Sequence, residues 1–297
     1  MSLNPSPTVA STRTSGPPCV CGCLTRPRRY PSDLTDAQWA VLEPLLPAPS
    51  WQRTTGGRPE RHSRRQIINA LFYLVDNGIK WRAMPADFPP WRTVYGYFIR
   101  WSDNLTTVGL THRLRASLRA ALGRRAQPSA GCIDAQSVHE SAEGVVPRAT
   151  SGYDSHKRVN GRKRHILVDT VGLLIDVVAT TASAADQHVA PALLHTAADH
   201  GIRCIWADQG YYVDKLIAAA HHVCDITLQI VLRPTSSTGR GKGFHVLPRR
   251  WVVERTFAWI SRRRRCARDY ERRLDHHETM VHWAAIIQMT RHRARLL

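Results

Sequence analysis

Some classes of protein are excluded by what this chain lacks. No apolar run in its 297 residues approaches the length of a membrane-spanning helix. The N-terminal stretch has no long apolar segment of the secretory kind, so export is not expected. There are seven cysteines, an odd number. Cys132, Cys204 and Cys224 fall in apolar contexts and read as small core residues. Cys19, Cys21 and Cys23 form a Cys-x-Cys-x-Cys cluster, but no second pair offers the spacing of a zinc site. A reducing cytoplasm fits this usage. The 15 histidines contain no His-Glu-x-x-His, which argues against a zinc site of that type.

Acidic side chains are also scarce: 23 Asp and Glu stand against 42 Lys and Arg, a net charge of +19. Residues 1–130 carry 18 basic and 7 acidic side chains, a net +11. Residues 131–248 carry 11 of each, and residues 249–297 carry 13 arginines and 5 acids, a net +8. A neutral centre between two basic flanks is the electrostatic footprint of a nucleic-acid binder. Arg-rich coding bias accounts for arginine over lysine, but not for basic over acidic.

Residues 1–30 are rich in Ser, Thr, Pro and Arg without apolar periodicity, and are expected to form a disordered tail. Helical patterning follows over 31–128. Ser32 or Thr35 can cap a first helix, and Ser63 caps a second that Gly78 stops. A third helix is expected over 93–104, interleaving aromatics with Arg92 and Arg100, and a fourth over 111–122. This basic, all-helical region reads as a helix-turn-helix-like DNA-binding domain or as a helical packing domain with solvated arginines. From Gly131 the pattern changes. A strand carries Asp134, and a polar loop leads to a hairpin around Gly172. Strand and helix then alternate to the C-terminus. Residues 129–297 are expected to form an α/β domain with a mixed sheet flanked by helices.

Three acids organise that domain. Asp134 lies inside the apolar stretch Gly131-Cys132-Ile133-Asp134-Ala135, Asp208 ends the apolar run before Gln209-Gly210, and Glu254 lies in a basic, helix-patterned segment four residues after Arg250, with which it is expected to pair as well as to ligate. An unpaired buried carboxylate is costly, and converging carboxylates raise one another's pKa. Two divalent ions remove that conflict, and two metals serve phosphoryl transfer on nucleic acid. Acids on a first strand, at the end of a later strand and on a C-terminal helix follow the ribonuclease H-like order. Asp169 and Asp176 flank the hairpin and read as ordinary solvated residues. His276-His277-Glu278 reads as a surface or DNA contact.

From about Tyr30 onward the chain resembles the DDE-type transposases of bacterial insertion sequences, in the grouping that joins the IS-five and IS-four families. The resemblance rests on several motifs in order: Tyr30-Pro31-Ser32-Asp33-Leu34-Thr35-Asp36-Ala37-Gln38-Trp39, Ile133-Asp134-Ala135-Gln136-Ser137-Val138, Gly161-Arg162-Lys163-Arg164-His165, Ala207-Asp208-Gln209-Gly210-Tyr211, and Arg250-Trp251-Val252-Val253-Glu254-Arg255. It implies that Asp134, Asp208 and Glu254 are catalytic and hold two Mg2+ ions, with Mn2+ able to substitute. It also implies cleavage at the element's ends and joining of the freed 3′-OH to target DNA, by a homodimer or larger assembly near the nucleoid. Many relatives carry Tyr and Lys where this chain has Leu247 and Ser261, whereas Arg250 and Glu254 match. Arg262 or Arg263 is expected to bind phosphate in place of that Lys. DNA contacts are further expected at Arg92, Arg100, Lys157, Arg162, Lys163, Arg164 and Arg250. A ribonuclease H-like nuclease without strand transfer and a catalytically inactive DNA-binding protein are the alternatives. A tyrosine recombinase is disfavoured, because His62-Ser63-Arg64-Arg65 lies far upstream of Tyr270.

Overall fold

The computed structural model describes residues 27–49, 59–141, 144–231 and 250–297. The expected N-terminal tail up to residue 26, the cluster Cys19, Cys21 and Cys23, and Leu247 lie outside them. Helix α1 (Asp36–Leu42) starts at Thr35, which exchanges hydrogen bonds with Gln38 in a reciprocal capping box. Helix α2 (Arg64–Asn77) starts at Ser63 and ends at Gly78, whose φ of 68° suits glycine. Helices α3 (Trp91–Asp103) and α4 (Thr106–Ala121) follow. α4 begins five residues before the expected start at 111, because Leu105 turns the chain and the Asn104 side chain accepts from the Thr106 N–H.

The sheet is mixed. Strand β1 (Ala130–His139) pairs antiparallel with β3 (Val159–Asp169). The other edge of β3 is covered by β4 (Leu174–Thr181) and, near its start, by the short β2 (Gly152–Asp154). On its far side β1 runs parallel with β5 (Cys204–Ala207), which runs parallel with β6 (Thr227–Ile230). Helix α5 (Asp186–Asp199) precedes β5, and α6 (Asp214–Cys224) crosses from β5 to β6. Helices α7 (Trp251–Ser261), α8 (Arg264–Ala267) and α9 (Leu274–Ala294) end the chain.

Strand alternation feeds two cores. Ile133 and Leu167 point to the layer of α5 and α6, with Leu193, Leu194 and Leu216. Cys132, Ile166 and Val168 point to α9, where Val281, Trp283 and Ile286 lie, and this core continues into Ile67, Leu71, Phe98 and Leu114 of the first helices. The change from helices to strands at residue 130 is therefore not a break in the core. Among the described residues, no helix is long and apolar enough to cross a membrane.

Two expectations about the hairpin are corrected. Asp169 is fully buried. It accepts from the Val171 and Leu173 N–H groups and pairs with Arg119 at 2.5 Å, so it anchors the turn from inside. Asp176 is half-buried; burial raises its pKa, and the Thr196 hydroxyl donates to it.

α9 meets β4 through Glu278, whose Oε1 accepts from the Ala179 N–H at 2.8 Å. Burial lifts its pKa from 4.5 to about 7; that N–H opposes the shift, and the charges of Asp176 and Asp275 add to it. A carboxyl raised in the fold contributes stability below its unfolded pKa, and this is lost as pH rises through the folded one. Glu278→Gln keeps the hydrogen bond and removes the charge. It is expected to stabilise the protein by on the order of 2 kcal/mol at pH 8 and hardly at all at pH 4. Denaturant unfolding at both pH values checks this; an equal shift at both would contradict it.

Candidate active site

The sheet register brings the first two acids side by side. Cys132 of β1 pairs with Trp206 of β5, so two residues further along, Asp134, midway along β1 where its parallel pairing with β5 has ended, stands beside Asp208, just past the carboxyl end of β5. That edge is where α/β sheets place ligands. Asp208 also caps the 3-10 turn Gln209–Tyr211, accepting from the Gly210 N–H at 2.9 Å. Glycine suits position 210: a Cβ there would lie 3.0 Å from Asp208 Oδ1 and 3.7 Å from Asp186 Oδ2.

Arg250 binds the pair. Its Nη2 donates to Asp134 Oδ2 at 2.9 Å and lies 3.8 Å from Asp208 Oδ2. The side chains of Asp134 and Asp208 are 14% and 34% exposed. Burial pushes the Asp134 carboxyl up to about 6, with Arg250 opposing and the Asp208 charge adding. One guanidinium thus serves two carboxylates, and the site stays acidic within a basic chain.

Two further residues border the site, and sequence reasoning assigned neither a role. Tyr211 is fully buried and its hydroxyl has no hydrogen-bond partner among the described residues. Burial raises its pKa well above the ordinary phenol value, and the charges of Asp186, Asp134 and Asp208 add to the effect. Asp186, the first residue of α5, accepts from Lys163 Nζ at 3.1 Å. His165 Nδ1 lies 3.8 Å from Asp186, but burial and Lys163 hold the imidazole down to about 4, so it is neutral there near pH 7. The available signals were position alone: Asp186 follows the hairpin, and Tyr211 stands three residues beyond Asp208.

Glu254 stands apart. It is exposed in the first turn of α7. The expected pairing of Glu254 with Arg250 four residues earlier is not formed, because Arg250 turns inward to Asp134. Among the described residues no group of three or more His, Cys, Asp or Glu side chains converges as a metal cluster.

The basic residues divide by burial. The expectation that Arg162, Lys163 and Arg164 contact DNA is corrected, because β3 is an inner strand with both faces covered. Arg162 is fully buried and donates to Asp269 Oδ2 at 2.9 Å and to the Glu271 carbonyl at 2.8 Å. Arg164 donates to the Cys266 carbonyl and to Ser261 Oγ, at the position where many relatives carry Lys. Lys163 points to the other face, where Ala184 and Asp186 accept from it. His276 and His277 are also buried rather than at the surface, and His277 Nδ1 lies 3.1 Å from Asp269. Arg263 is paired with Asp76 at 2.5 Å. Arg92 and Arg100 on α3, Lys157 in the loop after β2, and Arg262 at the end of α7 are exposed.

Carboxylates gathered at the carboxyl edge of a mixed sheet, with a further acid carried by a helix from later in the chain, define a ribonuclease H-like domain. Residues 125–289 match the family described as transposase DDE domain, and residues 34–110 match a transposase family of the IS4/5 type (DUF4096). The chain belongs to the DDE transposases of the IS4/5 grouping. It is therefore a transposase, a class that acts on DNA and generally uses divalent metals. No curated protein and no solved structure shows a significant match to it.

Proposed function

We propose that this transposase cuts DNA at the ends of its own insertion sequence and joins the freed 3′-OH ends to target DNA. Asp134, Asp208 and Glu254 would hold two divalent ions, Mg2+ or in its place Mn2+. The observation that carries this is the Asp134–Asp208 pair, brought together at the sheet edge around a single guanidinium. The donor set fits the ions: carboxylate oxygens suit hard divalent cations, and the Tyr211 hydroxyl beside them has no partner among the described residues. Glu254 lies one helical turn beyond Arg250, so the helix that follows the bridging arginine also carries the third acid.

When bound, the ion pair supplies charge neutralisation at the phosphodiester and acidifies the attacking water. The protein's own groups do the positioning. Asp134 is fixed on an inner strand and Asp208 by its turn, so both carboxylates are preorganised. Arg250, which bridges the two carboxylates, would contact the phosphate that enters between them. Residues 31–128 serve DNA binding, with Arg92 and Arg100 on α3, while residues 129–297 form the catalytic domain with Lys157 and Arg262 as further backbone contacts. Two or more copies act together when both ends are held, beside the nucleoid.

One observation favours a second reading, a DNA-binding protein without catalysis: Glu254 stands outside the carboxylate pair, and Ser261 is taken up by Arg164. Nicking of a duplex carrying the element's end separates the two. Mg2+ or Mn2+ should support nicking, while Ca2+, which tolerates looser geometry, should allow binding with little turnover. Efficient nicking in excess chelator, or none with either metal, would count against the proposal.

A further inference from the structure

A second charged feature lies away from the carboxylates. On α7, Arg255, Trp259 and Arg262 follow one another at spacings of four and three, so they share one stripe. That stripe lies about a third of the way round the helix from Arg250 and Glu254. It forms one wall of a groove of about 770 Å3, which Arg124 after α4 and Arg291 and Arg295 of α9 also line, with Arg263 at the junction.

Little neutralises this groove from within. Asp76 serves Arg263 at 2.5 Å and Arg291 at 2.8 Å. Arg255 donates to the Val171 carbonyl at 2.7 Å. Arg124, Arg262 and Arg295 are exposed and have no carboxylate partner among the described residues. The segments outside the described residues contain one acidic residue, Glu143, so they offer no acidic stretch to fill the groove. An external polyanion is the partner that complements its charge, and the volume takes several phosphates rather than one ion.

We propose that this groove is a contact surface for the phosphate backbone of duplex DNA, separate from the carboxylate site and from α3. The choice of DNA rests on the transposase reading. The choice of duplex rests on the groove itself. Trp259 is the single Trp, Tyr or Phe among the residues that line the groove, and the Arg255 guanidinium covers one of its faces at 4.6 Å, so the groove lacks the series of aromatic platforms on which single-strand binders stack successive bases. Arginine contacts to phosphate carry no sequence information, so the groove adds affinity equally for any duplex.

The test is binding of labelled duplexes by the full chain, by fluorescence anisotropy across a KCl series in chelator. The variant Arg124→Gln/Arg262→Gln/Arg295→Gln should bind more weakly. Its slope of log affinity against log salt should be shallower by about 2 to 3, at about 0.9 per phosphate contact. The loss should be the same for end-containing and unrelated duplexes, with the thermal midpoint unchanged. Should the triple variant fail to fold, Arg295→Glu alone carries the test, with a slope change of about 1. An unchanged slope, a loss confined to end sequences, or a larger loss for single-stranded DNA would overturn the proposal. Nicking by the unaltered protein with Mg2+ is scored in parallel: nicking with an unchanged slope defeats the groove alone, and a reduced slope without nicking defeats the catalytic reading alone.

Discussion

Asp134→Asn and Asp208→Asn are each expected to lower nicking of an end-containing duplex by about 10^3-fold or more, while binding of that duplex survives. The reason is charge, not shape. Asn keeps the size of Asp but cannot draw a divalent ion, whereas the basic surfaces that bind DNA are untouched. The double variant should lose no more than either single one, because one missing ligand disables the unit. Glu254→Gln is expected to behave the same way, and it is the sharper test because Glu254 lies outside the Asp134–Asp208 pair. Full activity in Glu254→Gln, with both aspartates required, would remove Glu254 from the ligand set. Asp169 and Asp176 are unsuitable controls, since Asp169 holds Arg119 inside the protein and Asp176, half-buried, accepts from the Thr196 hydroxyl. Asp199, exposed at the end of α5, is suitable.

Arg162→Met is expected to destabilise the protein by about 3–5 kcal/mol, because it leaves Asp269 as a buried charge without its guanidinium. Asp269 also accepts from the Glu271 N–H at 2.8 Å and holds His277, so this one carboxylate ties β3 to the segment between α8 and α9. The salt dependence of DNA binding should not change in Arg162→Met, since the side chain is fully buried. Arg92→Gln should do the reverse: little effect on stability, and a shallower salt slope by about 1. Chemical denaturation and anisotropy on the same two variants check both halves. Loss of DNA affinity without loss of stability in Arg162→Met would return that residue to the DNA surface.

The contrast between these two arginines shows where sequence reasoning reached and where it stopped. Helix ends were legible because their chemistry is local: Thr35, Ser63 and Gly78 act on neighbours within four residues. Asp134 was legible because it interrupts an apolar strand, where a carboxylate has no structural reason to be; Asp208, which also caps the turn after its strand, was legible through the motif Ala207-Asp208-Gln209-Gly210-Tyr211. The burial of Arg162 and Arg164 was not legible. Gly161-Arg162-Lys163-Arg164-His165 has the composition of a solvated loop, and the groups that satisfy it, Asp269, Cys266 and Ser261, come from about 100 residues further on. Asp169 was misread for the same reason, its partner Arg119 lying 50 residues upstream. Tyr211 carried a family motif, but nothing in the sequence marks a hydroxyl left unpartnered among carboxylates. Arg250 and Glu254 sit four apart on a helix pattern and suggested a local pair. The pull of a buried Asp134 outweighed that proximity, as the 2.9 Å contact from Arg250 shows.

The most direct test of the central claim is strand transfer from pre-cut ends. Duplexes ending in the element's terminal sequence with a free 3′-OH are incubated with the protein, a supercoiled target plasmid and Mg2+, and joined products are scored on a gel. The account predicts joined products with the unaltered protein and none with Asp208→Asn. End binding without joining, or joining that persists in Asp208→Asn, would contradict it.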